Sequence, residues 1–167
     1  SPVHAASLVD PAMHSPELMQ LIEMKLSRPV IEYVVDCVFE TVDQALARSG
    51  LRLLTAQRAS YRNRFTPFVA TLLSRATVRT PTLLVALVYI ARARPHLAVP
   101  SAHRAPESVF LGALIVAAKY TNDSALRNAR WARCSGGVFG VRDVGRIERE
   151  FLAVLDWELG VTEADLL

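Results

Sequence analysis

Four histidines and two cysteines are the residues from which a nucleophilic or metal site in this chain would have to be built. His4 and His14 lie in the N-terminal tail, and His96 and His103 flank proline-bearing connectors. None has a nucleophile and an orienting acid at a spacing that makes a catalytic relay. Cys37 and Cys134 stand far apart and belong to no zinc or redox spacing. Cys134 falls at an expected helix end before a Gly-Gly loop, not at the helix N-terminus that would activate a thiol. The carboxylates Glu148, Glu150 and Asp156, Glu158 are two apart, which sends them to different helix faces. Gly136-Gly137-x-x-Gly140 precedes a helix, but no strand leads into it and no Lys or Ser/Thr follows, so it reads as a hinge rather than a phosphate cradle. No catalytic residue, metal site or cofactor is expected.

A binding surface is what remains. Lys119 directly follows the unbroken apolar run Val109–Ala118, and Glu148 sits in the middle of an amphipathic segment. An ammonium group at the end of a fully apolar helix must find acceptors. Either Lys119 pairs in or beside the core, or it snorkels to water and Glu148 is an ordinary surface acid.

Helix signals recur along the chain and strand signals do not. Ser15-Pro16-Glu17 starts a short helix to about Leu26. After Arg28-Pro29 a longer one carries Val30, Val34, Val38, Val42 and Leu46 on one stripe, widened by Ile31, Val35 and Phe39. Ser49-Gly50 ends it, and residues 51–60 read as a polar connector. Thr66-Pro67, Thr80-Pro81 and Pro106-Glu107 each read as a helix start, and Ser124 as the cap of a helix to about Cys134. A last full helix is expected from about Arg142 to Leu159, stopped by Gly160. Thr162-x-x-Asp165 caps one more, which the chain is expected to cut short. Seven helices and the start of an eighth make an all-α bundle, with the 81–94 and 106–120 helices apolar nearly all round and therefore interior.

At 167 residues and 51% hydrophobic the chain suits one domain with a sizeable core. Its longest apolar run is about half of the roughly 20 residues a membrane span needs, so no membrane association is expected. No basic head with an apolar stretch opens the chain, so a secretory signal is absent or removed, and an intracellular place, nucleus and cytoplasm, is expected. The net charge of +3 is unevenly laid out. Between Gln44 and Pro106 there are ten arginines and no acid, giving +10, while all 16 acids and the other nine basic residues lie in the flanks at −7. Such a stretch favours phosphate, nucleic acid or an acidic protein, unless Arg is simply the preferred surface residue here.

Three segments resemble a known family. Leu114-Ile-Val-Ala-Ala-Lys119-Tyr120 resembles the third cyclin-box helix of the cyclins, Arg146-Ile-Glu148-Arg-Glu-Phe-Leu152 through Leu159 the fifth, and Thr82 through Arg92 the second. Lys-Tyr-x-Asn-Asp, Gly-Val-Phe-Gly and Arg-Ile-Glu-Arg-Glu-Phe-Leu together are similar to the fungal phosphate-pathway-type (Pcl-like) cyclins. The resemblance covers about residues 60–167, a single cyclin box preceded by an N-terminal helical extension over residues 1–59.

The resemblance implies a non-catalytic subunit that binds and activates a cyclin-dependent kinase as a heterodimer, positions the kinase C-helix and contributes to substrate choice. It implies that Lys119 and Glu148 hydrogen-bond backbone groups beside that helix, with Tyr120, Arg149 and Leu152 completing the contact. One departure stands out. Where many cyclins carry a hydrophobic substrate-docking patch, this chain has Tyr61-Arg62-Asn63-Arg64-Phe65-Thr66-Pro67-Phe68, and Pro67 is at odds with an unbroken helix there. A basic docking surface at Arg62 and Arg64 is the substitute expectation. The second reading is a nucleic-acid-associated cyclin-fold protein of the general transcription factor type, favoured by the arginine-rich window.

Overall fold

The computed structural model describes residues 15–17, 26–121 and 126–166. Seven helices lie within them: α1 (Arg28–Arg48), α2 (Thr55–Arg75), α3 (Thr80–Ala93), α4 (Ala105–Thr121), α5 (Asn128–Cys134), α6 (Val141–Val154) and α7 (Glu163–Leu166). No strand occurs among the described residues, so the fold class is all-α as expected. Pro16 and Glu17 are helical, but residues 18–25 of that first expected helix, Ser124, His4 and His14 lie outside the described residues, and the helix expected from Ser124 begins only at Asn128, after Arg127.

α4 is the axis of the bundle. Apart from half-buried Ser108, every residue from Ala105 to Ala118 is buried, because small and branched apolar side chains occupy all sides of the helix. α3 and α6 pack most extensively on it, and α1 and α2 close the other sides. Gly112 permits the α6 approach: a Cβ there would lie 3.0 Å from Phe151 Cβ and 3.2 Å from Ile147 Cγ2. α1 buries the expected stripe from Val34 to Leu46, and its core is continuous with that of the other helices. Gly50 closes α1 with φ of 76° while the Leu51 amide donates back to the Leu46 carbonyl at 2.8 Å.

Three sequence expectations need correction. The connector is shorter than residues 51–60, because α2 already begins at Thr55 and runs unbroken through Pro67. Thr66-Pro67 is therefore not a start. Pro67 removes the amide that would donate to the Asn63 carbonyl, a loss of about 3 kcal/mol in a helix interior. Both residues face water, so solvent can serve that carbonyl, and the Thr66 hydroxyl donates to the Arg62 carbonyl at 3.0 Å. Phe65, Val69, Leu72 and Leu73 of the same helix are buried, each worth about 1.5–3 kcal/mol, and that outweighs the break.

The second correction is that α3 is peripheral rather than interior. Leu84, Leu87 and Val88 are half-buried and Ala91 is exposed, since its neighbours α1, α4 and α7 cover only its inner side. The third is that α6 ends at Val154, not Leu159. Asp156 and Trp157 adopt left-handed φ of 52° and 58°, and the Trp157 amide donates to the Leu152 carbonyl at 3.1 Å. Gly160 has no part in that stop. The capping box before α7 forms as expected: Thr162 and Asp165 exchange amide-to-side-chain bonds at 2.8 and 3.3 Å.

Candidate functional site

The apolar run of α4 delivers Lys119 to the end of the core, one residue after Ala118 is fully enclosed. α6 crosses it with Glu148 on the facing side, and Lys119 Nζ donates to Glu148 Oε2 at 2.6 Å. The lysine side chain is 51% exposed and the glutamate side chain 14%. Glu148 is thus no ordinary surface acid, and the lysine head is held rather than free in water. An ammonium has three hydrogens, so two donors remain on Lys119, and Glu148 Oε1 remains an acceptor. The site presents both hydrogen-bond polarities on one small face.

The other implied contact residues surround the pair unequally. Tyr120 is 43% exposed, and its ring stands edge-on to buried Tyr89 with centroids 6.2 Å apart. Its hydroxyl accepts the Val161 amide at 3.3 Å, which ties the segment after α6 to the end of α4. Arg149 is exposed, with Nη1 lying over Gly145 near Asn128 of α5. Leu152 is buried, so it supports the face from beneath.

Trp157 is the residue that pattern reasoning passed over as a site. It is 67% exposed, close behind Leu152 in the left-handed turn that ends α6. A large aromatic held in water by a strained backbone is a feature of binding faces. Its only sequence signal was a Trp placed inside an expected helix.

Arg62 and Arg64 are not brought together. Two positions on a helix turn by about 200°. Arg62 pairs with Asp36 of α1 and lies 5.9 Å from the Phe39 ring centroid, whereas Arg64 stacks 4.7 Å from that of Tyr61. Five arginines of the acid-free window form ion pairs with acids outside it: Arg58 with Asp43, Arg62 with Asp36, Arg92 with Asp165, Arg94 with Glu40 and Arg104 with Glu107. Arg48 donates to the Arg94 and Leu97 carbonyls. Half of the window's ten arginines are thus paired with acids inside the fold.

Among the described residues no three His, Cys, Asp or Glu side chains could hold a metal ion, both thiols are free, and no helix is long and apolar enough to cross a membrane.

A sequence model described as cyclin, N-terminal domain, matches residues 40–160. The chain belongs to the cyclin family. Among curated proteins of Saccharomyces cerevisiae it is similar to PHO85 cyclin-2, with 39% identity over 106 residues, 61% of this chain and 34% of that protein. It is 38% identical to PHO85 cyclin-1 over 60% of this chain and 37% of that protein, and 34% identical to PHO85 cyclin-9 over 60% and 34%. This cyclin chain thus spans about a third of the length of the curated relatives it matches.

Proposed function

We propose that this cyclin is the regulatory subunit of a cyclin-dependent kinase, of the PHO85 type for which its relatives are named, and that the Lys119–Glu148 face receives the kinase C-helix region. The observation that carries the reading is the pair itself: a 2.6 Å charged hydrogen bond with spare donors and a spare acceptor, half open to solvent, on a rigid two-helix crossing. Backbone carbonyls and amides of a partner are the groups such a face satisfies. Tyr120, Arg149 and Trp157 extend the contact, and Leu152 holds its floor. The chain contributes binding, not a reacting group.

Kinase activity needs the C-helix turned in, so that its glutamate pairs with the lysine holding the ATP phosphates. A rigid face that binds the inward position more tightly shifts the equilibrium toward it by that difference in affinity. Pairing five of the window's ten arginines with acids reduces the positive surface there that nucleic acid would need.

The test is capture of purified cyclin-dependent kinases by the wild-type chain and by a Lys119→Ala, Glu148→Ala double variant, each shown folded by circular dichroism. Capture and stimulation of a kinase by wild type alone is the expected result. A folded wild type that captures none of them, or a double variant that captures equally well, overturns the proposal.

A further inference from the structure

Residues 155–162, between α6 and α7, are not helical, and Leu159, Gly160 and Val161 make no backbone-to-backbone hydrogen bond among the described residues. Side chains of α3 and α4 hold this segment instead. Three successive carbonyls accept from α3: Glu158 from Arg92 Nη1 at 3.3 Å, Leu159 from the Tyr89 hydroxyl at 2.8 Å, and Gly160 from Arg92 Nη2 at 2.7 Å. The next amide, that of Val161, donates to the Tyr120 hydroxyl of α4 at 3.3 Å. Arg92 Nη2 also reaches Asp165 Oδ2 of α7 at 3.1 Å. Tyr89 and Arg92 are three apart on α3, which puts them on one face, and the guanidinium carbon lies 6.0 Å from the Tyr89 ring centroid.

Arg92 is the hub of this latch, and Trp157 stands at its edge. Trp157 immediately precedes the first held carbonyl, and its ring makes no ring contact among the described residues. A tryptophan at φ of 58° is strained and keeps that conformation where its surroundings over-determine it. The Leu152 carbonyl holds the turn from the α6 side, accepting the Trp157 amide at 3.1 Å, and Arg92 holds it from the α3 side. A planar fork suits that task. The guanidinium spreads its nitrogens over two carbonyls and a carboxylate, whereas an ammonium gathers its donors on one atom.

We propose that Arg92 is a positioning residue for the kinase-binding face: by fixing the backbone after Trp157 it presents that side chain to the kinase as a preformed anchor. The kinase part rests on the function proposed above; the hold on Trp157 rests on the hydrogen bonds alone. A partner that meets an aromatic already ordered does not bear the entropy of ordering it, so affinity depends on a residue outside the contact.

The experiment compares wild type, Arg92→Ala and Arg92→Lys as full chains. Trp131 is the one other tryptophan and is 1% exposed, so subtracting the signal of Trp157→Phe isolates Trp157 in time-resolved fluorescence anisotropy. Both Arg92 variants are expected to add a fast depolarisation of Trp157 that wild type lacks, and to weaken kinase binding about tenfold. Arg92→Lys keeps the charge opposite Asp165 and serves as the test where Arg92→Ala melts. In a Trp157→Ala background, Arg92→Ala is expected to lower Tm as before yet to leave the kinase Kd within about twofold. Unchanged anisotropy in both variants overturns the hold on Trp157, whether or not a kinase is captured. An unchanged Kd, a Kd loss that persists in the Trp157→Ala background, or full rescue by lysine overturns the positioning role: Arg92 would then act through stability or charge. A folded wild type that captures no kinase overturns the function above and the binding role of Arg92 with it, while the anisotropy still decides the hold on Trp157.

Discussion

Glu148→Gln keeps the volume of the side chain and one carbonyl oxygen for the Lys119 ammonium, but removes the charge. In the free chain the effect is modest. With the lysine side chain 51% exposed, the pair lies near the surface range of about 0–1 kcal/mol. The glutamate side chain, only 14% exposed, moves it toward charged hydrogen bonds at about 1.5–3 kcal/mol, of which glutamine retains part. A loss of about 1 kcal/mol is expected, which lowers Tm by about 2–4 °C in a chain of this size. Kinase binding suffers more, because a partner closing over Lys119 removes its water and strands the ammonium. That costs about 2–5 kcal/mol, or roughly 30-fold to several-thousand-fold in Kd.

Calorimetric titration with the captured kinase, beside thermal melting of the free chain, separates the two effects. Lys119→Met and the double variant complete a cycle. If the two side chains act as a unit, the double variant binds no more weakly than the weaker single one. A Kd within threefold of wild type alongside the expected fall in Tm would refute the reasoning: the pair would then be only a tie between α4 and α6.

Two other outcomes follow from the packing. Gly112→Ala forces Phe151 and Ile147 away from α4, and a loss of about 1–3 kcal/mol in thermal or denaturant unfolding is expected, with weaker kinase capture because Glu148 moves with α6; unchanged stability counts against that close crossing. Tyr89 is buried and donates to the Leu159 carbonyl at 2.8 Å, and burial pushes its phenol pKa far above the usual value of about 10, so its contribution is whole below that pH and fades above it. Tm should therefore fall more steeply above about pH 10 in wild type than in Tyr89→Phe, whereas equal slopes would place the alkaline loss elsewhere.

Sequence signals located elements where local chemistry was decisive. Proline after a threonine marked the start of α3, and the all-apolar run marked α4. The start of α2 carried no such mark. Leu54 precedes it without a capping oxygen, the Leu54 amide is served instead by Gln57 Oε1 at 2.9 Å, and the first ten residues of the helix bury no side chain. With no apolar stripe before Phe65, Thr66-Pro67 was the only visible start, and tertiary packing of the later turns carried the helix through it. The end of α6 was misread for a related reason: the left-handed positions fall on Asp156, which takes that conformation only occasionally, and on Trp157, which sequence preference does not nominate. Lys119 and Glu148 were legible through family resemblance, while periodicity alone could not join residues 29 apart on different helices.

Charge segregation along the chain proved a poor guide to charge on the surface, and the reason lies in α1. Asp36, Glu40 and Asp43 are spaced four and three apart, which puts them on one helical stripe. Arg62 and Arg58 of α2 and Arg94 after α3 meet that stripe in turn. Part of the acid-free window therefore faces an acidic stripe, and those three pairs tie α2 and the end of α3 to α1. Under the proposed function, recognition falls to groups such matching leaves over. In the proposed reading these are the spare donors of Lys119 at the end of α4, with Arg149 of α6 and the exposed Trp157 that follows it.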